Sequence, residues 1–173
     1  MFQNLTMKKI FLFIIIMCFN PSNAQQLNIP SDTIVKTYHK TLIKGVEINY
    51  SAEAGMQPVW NNKGEVIASL FYTYYKRESK KNSVKNKQRP IIISFNGGPG
   101  SASVWMHMAY TGPRILNVDD EGYPIQPYGF KSNPYSILDE ADIVFVNPVN
   151  TGYSRMIANS EGEMPERDQF FGI

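Results

Sequence analysis

Cysteine is almost missing from this chain: Cys18 is the only one in 173 residues, and histidine is limited to His39 and His107. A single thiol excludes an internal disulfide, and so few thiols and imidazoles leave no ligand set for structural zinc. No metal and no cofactor are expected. An excess of one charge is lacking too. The 17 Lys and Arg exceed the 15 Asp and Glu by two, and Lys8 and Lys9 account for that difference. Beyond residue 24 the count is 15 against 15, so no basic field argues for nucleic acid or an anionic membrane. Long apolar runs are also absent. The longest, Ile10 to Phe19, falls well short of the roughly 20 residues that a membrane-spanning helix needs.

That short run has a different meaning. Lys8 and Lys9 precede it, and Ser22 and Ala24 place small residues at −3 and −1 of a cut before Gln25. This is the layout of a secretory signal peptide, residues 1–24, on a protein exported to the periplasm or the extracellular space. Cleavage removes Cys18 and leaves no stable membrane insertion. A lipid anchor at Cys18 is the rival reading, but bulky Met17 stands before it where a small residue is expected.

What remains, residues 25–173, has the composition of a globular domain, with 43% apolar and 18% charged residues overall. From Thr33 to Tyr75 the pattern is β-rich. "TIVKTYHK" and "KGVEINYSAE" alternate as half-buried strands do, and Asn62-Lys63-Gly64 supplies a hairpin turn before Val66–Tyr75. Residues 76–89 carry seven basic side chains and one acid without interleaved aromatics, which predicts a solvated loop. "PIIISF", residues 90–95, is a continuous apolar run that predicts a strand covered on both faces. "SVWMHMAYTG" has helical composition and stops at Gly112-Pro113, and "DIVFVN", residues 142–147, predicts a second buried strand. A hairpin followed by two strands with a helix between them predicts an α/β fold, the N-terminal part of a mixed sheet. With so few parallel strands and "QFFGI" at its end, the sequence is expected to be the front portion of a longer domain.

The stretch "FNGGPGSAS", residues 95–103, is where chemistry is expected. Glycines at the C-terminal end of a strand let backbone N–H groups converge on an anion or a developing negative charge. A phosphate loop would need a Gly-Lys-Ser/Thr ending, yet no lysine occurs between Phe95 and Ile115. A dinucleotide fingerprint would need a third glycine where Ser103 stands. An oxyanion hole and a plain turn both remain compatible with the spacing.

"FNGGPGSAS" resembles the Asn-Gly-Gly-Pro-Gly-Ser motif of the serine carboxypeptidase family (peptidase family S10), which has the α/β-hydrolase fold. "NPYSILDEADIVFVNPVNTGYS", residues 133–154, is similar to that family's second block. "FFGI" looks like the start of the helix that follows. Phe95, Ala102 and Asn150 stand where Trp, Ser and Gly are common, and asparagine tolerates the left-handed backbone that glycine adopts.

The resemblance implies a role for each of three residues. The Asn96 side-chain amide and the Gly97 N–H would bind the C-terminal carboxylate of a peptide substrate. The Gly98 N–H would be one oxyanion donor, a group that contributes about 3–4 kcal/mol in comparable enzymes. The implied activity is serine-type carboxypeptidase action through an acyl-enzyme.

The partners of that loop are missing from the sequence. No Gly-x-Ser-x-Gly occurs, so no nucleophile, acid or base is assigned. Ser101 and Ser103 read as helix N-caps, His107 as a packed helix histidine and His39 as a surface residue on an early strand. Two other readings stay open: a different α/β-hydrolase activity such as acyl transfer or ester hydrolysis, and a truncated, inactive product.

Overall fold

The computed structural model describes residues 33–78, 89–97, 100–158 and 161–165. The proposed signal peptide, most of the basic loop, Gly98 and "QFFGI" lie outside the described residues.

Strand β1 (Val35–Ile43) turns into β2 (Val46–Trp60) through Lys44 and Gly45. Both turn residues have positive φ, 49° and 77°, which is the tight hairpin turn whose twist matches the strands it joins. The second turn is built by Asn61. Its Oδ1 accepts the N–H of Lys63 at 2.9 Å and of Glu65 at 3.0 Å, and Gly64 takes a φ of 81°. Strand β3 (Val66–Arg77) then returns antiparallel, with a register slip at Val59/Trp60. The β-rich reading of this region holds, with β3 running two residues past Tyr75.

Strand β4 (Ile91–Ser94) is followed by a wide helical segment of π type, Met106–Thr111, and by the short hairpin β5 (Arg114–Leu116) and β6 (Phe130–Ser132). A single 3₁₀ turn at Ile137–Asp139 leads into β7 (Asp142–Val146), and β8 (Arg155–Met156) follows. The main sheet has the order β1-β2-β3-β7-β4, with β8 on β3. β7 is antiparallel to β3 and parallel to β4, so the sheet is mixed and the later strand is inserted between two earlier ones.

Side-chain alternation gives this sheet two different faces. Tyr75, Ile143 and Phe145 share one face with Ile48 and Tyr50, and the 106–139 segment covers it. Ile43, Ile48, Tyr50 and Leu138 form the packed centre, each no more than 2% exposed. The other face, with Leu70, Tyr72, Tyr74, Val144 and Val146, borders an apolar groove of about 370 Å³.

β4 corrects an expectation. The apolar run predicted a strand covered on both faces, but Ile91, Ile92 and Ile93 are 58%, 39% and 65% exposed. Among the described residues β4 pairs with β7 alone, so it is an edge. β7 has a strand on each side and answers the expectation of a buried strand: Ile143 and Phe145 are fully covered.

Two buried polar clusters lock the covered face in place. Asp142 is 4% exposed and accepts Arg89 Nε at 2.9 Å and the Arg77 N–H at 3.1 Å. Arg89 also donates to the carbonyls of Leu138 and Asp139, closing the 3₁₀ turn. Asn133, 1% exposed, donates to the carbonyls of Tyr110 and Gly112, both at 2.8 Å, and accepts the Tyr135 N–H at 3.0 Å.

Candidate active site

The parallel pairing of β4 with β7 brings two loops to the same sheet end. Ser94 lies opposite Phe145, so Phe95–Gly97 leaves the sheet beside the loop that begins at Asn147. The ends of adjacent parallel strands are a common place for α/β sheets to assemble a site.

Ser103 sits between the two loops and is 1% exposed. Its Oγ donates to the Val146 carbonyl and accepts the Asn96 N–H at 3.1 Å. Its own N–H donates to Asn147 Oδ1 at 3.0 Å. The helix-cap expectation for Ser103 is therefore corrected. The His107 N–H does bond the Ser103 carbonyl, but the hydroxyl is spent on β7 and on Asn96. Ser101 is no cap either, because its Oγ accepts Asn96 Nδ2 at 2.6 Å. Asn96 Nδ2 also donates to the Gly97 carbonyl at 3.0 Å. Asn96 is half-buried and Gly97 exposed.

The facing loop is held with equal economy. Phe71 pairs with Met56 of β2, but on its other side it falls in the gap between β7 and β8 and has no strand partner there. Asn147 N–H donates to the Phe71 carbonyl at 3.0 Å, and Ser154 Oγ accepts the Phe71 N–H at 2.8 Å. Ser154 then donates to the Asn147 carbonyl at 2.7 Å, so the side chain replaces a missing rung of the ladder. Asn150 has a φ of 62°, the left-handed geometry expected where glycine is usual. At Gly152 any Cβ would overlap the Asn147 amide, so that close approach requires glycine.

Gly97 is different. Each of the other nine described glycines either has a positive φ or would clash if it carried a Cβ. Gly97 has neither constraint, and a Cβ there would meet nothing within 4 Å. Among the described residues no packing contact calls for glycine at this position.

The His107 and His39 side chains bond elsewhere. His107 Nε2 meets the Tyr75 hydroxyl at 2.6 Å, and its ring stacks on Phe145 with centroids 4.5 Å apart. Burial pulls its pKa down to about 4, so the imidazole is neutral across the physiological range. Burial pushes the Tyr75 phenol up, keeping its proton in place. The pair is a packed hydrogen bond, as the sequence implied. His39 lies exposed on β1 against Thr37 and the Tyr50 ring.

Comparison with known sequences bears directly on this loop. The family described as Serine carboxypeptidase matches residues 45–170, which takes in both loops and the strands between them. The chain belongs to the serine carboxypeptidase family. Carboxypeptidase Y homolog A of Pyrenophora tritici-repentis is 34% identical over 86 residues, 49% of this chain and 14% of that protein. Carboxypeptidase Y of Saccharomyces cerevisiae is 31% identical over 113 residues, 65% of this chain and 18% of that protein. Serine carboxypeptidase-like 31 of Arabidopsis thaliana is 26% identical over 117 residues, covering 66% and 21% respectively. The matched region thus spans no more than about a fifth of these relatives.

Within this family framework, Asn96 and Gly97 come together at the end of β4, while Gly98 lies outside the described residues. Sequence reading gave no role to Asn147 or Ser154. Both sit in the second motif block, but their work depends on Ser103 and Phe71, far away in the chain.

Proposed function

We propose that this protein is the front portion of a serine-type carboxypeptidase with the α/β-hydrolase fold. It would release the C-terminal residue of a peptide through an acyl-enzyme. Asn96 and the Gly97 N–H bind the substrate's terminal carboxylate. The Gly98 N–H is one oxyanion donor, paired with the N–H that follows the nucleophilic serine. The serine, acid and base of that chemistry are not among these 173 residues. Residues 1–24 direct export, and the substrate is a peptide with a free carboxyl end.

The observation that carries this reading is Gly97. Among the described residues nothing in its backbone angle or packing calls for glycine, and it adjoins a half-buried amide at the end of a parallel strand pair. An exopeptidase has to hold a carboxylate and stabilise an oxyanion a bond or two apart, and one glycine loop offers both kinds of donor. Family membership and the named relatives support the same activity.

The test uses the protein expressed over its complete reading frame. A hydrogen bond to a charged group contributes about 1.5–3 kcal/mol, so Asn96→Ala is expected to lower kcat/KM for a free-acid peptide about ten- to a hundredfold. The matched C-terminal amide loses much less. Equal losses on the acid and the amide overturn carboxylate capture by Asn96.

A further inference from the structure

Asn96 is held at three points: the Gly97 carbonyl accepts its Nδ2 at 3.0 Å, and the other two grips are serine hydroxyls. Ser103 Oγ takes its backbone N–H at 3.1 Å, and Ser101 Oγ takes its side-chain Nδ2 at 2.6 Å. We propose that Ser101 and Ser103 are positioning residues for the carboxylate site: Ser103 fixes the Asn96 backbone to β7, and Ser101 sets the direction of its amide. This rests on the carboxylate-binding role given above to Asn96.

The two serine grips differ in kind. Ser103 is buried, and its hydroxyl is used in both directions, accepting from Asn96 and donating to Val146. With the Asn147 contact at its N–H, it ties the end of β4 to the end of β7. Those two strand ends fix where the loop begins. Ser101 acts on the side chain alone. A free asparagine amide swings about its last torsion in a broad well, so a terminal carboxamide needs a partner to hold one orientation. Ser101 supplies that partner as an acceptor. Among the described residues its own O–H has only the Ala102 carbonyl within reach, at 3.5 Å, a weak contact that lets the hydroxyl keep a lone pair on Asn96. With one Nδ2 hydrogen held by Ser101, a carboxylate takes the other from the exposed Gly97 carbonyl, and an amide already oriented loses less freedom in that exchange.

The experiment is a double-mutant cycle in the protein expressed over its complete reading frame, with a free-acid peptide and its C-terminal amide as probes. Ser101 is half-exposed, so Ser101→Ala is a mild change to the fold. Ser101→Ala is expected to raise KM for the free acid about three- to tenfold, with a smaller shift for the amide. Ser101→Thr keeps the acid preference, and Ser101→Val, isosteric with that threonine but without the hydroxyl, does not. In an Asn96→Ala background, Ser101→Ala costs nothing further, because the group it orients is gone.

Equal shifts for acid and amide, or a full Ser101 effect without Asn96, overturn the positioning role. If Asn96→Ala is selective for the acid while Ser101→Ala is not, this inference falls and the carboxylate reading stands. If Asn96→Ala itself is unselective, the carboxylate reading falls and takes this one with it.

Discussion

At the scale of single residues, the buried polar groups separate structure from chemistry. His107 is the histidine nearest the glycine loop in sequence, and a histidine near a serine invites a catalytic reading. Its surroundings say otherwise: Tyr75 occupies Nε2, Phe145 covers the ring, and burial draws its pKa down to about 4. The same surroundings give it a pH signature. Between its ordinary value of 6.5 and about 4, the unfolded chain takes up a proton that the folded protein refuses. Stability therefore falls as pH drops through that window. His107→Gln keeps a polar partner for Tyr75 without titrating there. Thermal melts at pH 7 and pH 4.5 should show a smaller acid-induced drop in Tm for the variant than for the parent. Identical drops would remove His107 from the account.

Elements depend on residues that a motif reading treats as markers. "NPYS" looks like a family label, yet it acts as a brace. Asn133 holds the end of the Met106–Thr111 segment through two carbonyls, and Ser136 Oγ donates to the Thr111 carbonyl at 3.0 Å while capping the 3₁₀ turn. Asn133→Ala would leave the Tyr110 and Gly112 carbonyls and the Tyr135 N–H without their partner. Each abandoned buried group costs about 1–3 kcal/mol and water recovers part of it, so denaturant unfolding should show a loss of about 2–3 kcal/mol. A loss below about 0.5 kcal/mol would mean that the brace carries no weight. The hairpins show the reverse relation. Strand alternation and the Asn62-Lys63-Gly64 turn were readable because each is settled within a few residues. The brace was not, because Asn133 works on carbonyls more than 20 positions earlier.

For the whole molecule, the sheet is unequal. One face is packed, while the other keeps an apolar groove, and β4 presents Ile91 and Ile93 at 58% and 65% exposure. Contiguous apolar surface of this kind is a place for a partner or for aggregation. Residues 25–173 expressed alone should bind a hydrophobic dye such as ANS and unfold over a broad range. A sharp two-state melt without dye binding would show that the open face needs no cover. The expectation of a buried β4 failed for a related reason. An apolar run reports that a strand's side chains are suited to burial, whereas the exposure of β4 depends on which elements are packed against it.

The sequence by itself determined the local pieces: the alternating strands, the turn at Gly64, and a glycine loop at the end of an apolar strand with Asn96 at its start. Periodicity and backbone freedom are properties of neighbouring residues, so one sequence suffices to read them. Tertiary structure alone decided that β7 lies between β3 and β4, and that decision assembles the candidate site. It brings Ser103 to the Val146 carbonyl and to Asn147, 43 and 44 positions away, and so turns an apparent helix cap into the anchor of the loop. A buried hydroxyl bonds whatever polar group the fold brings within reach, and chain distance gives no hint of which group that will be.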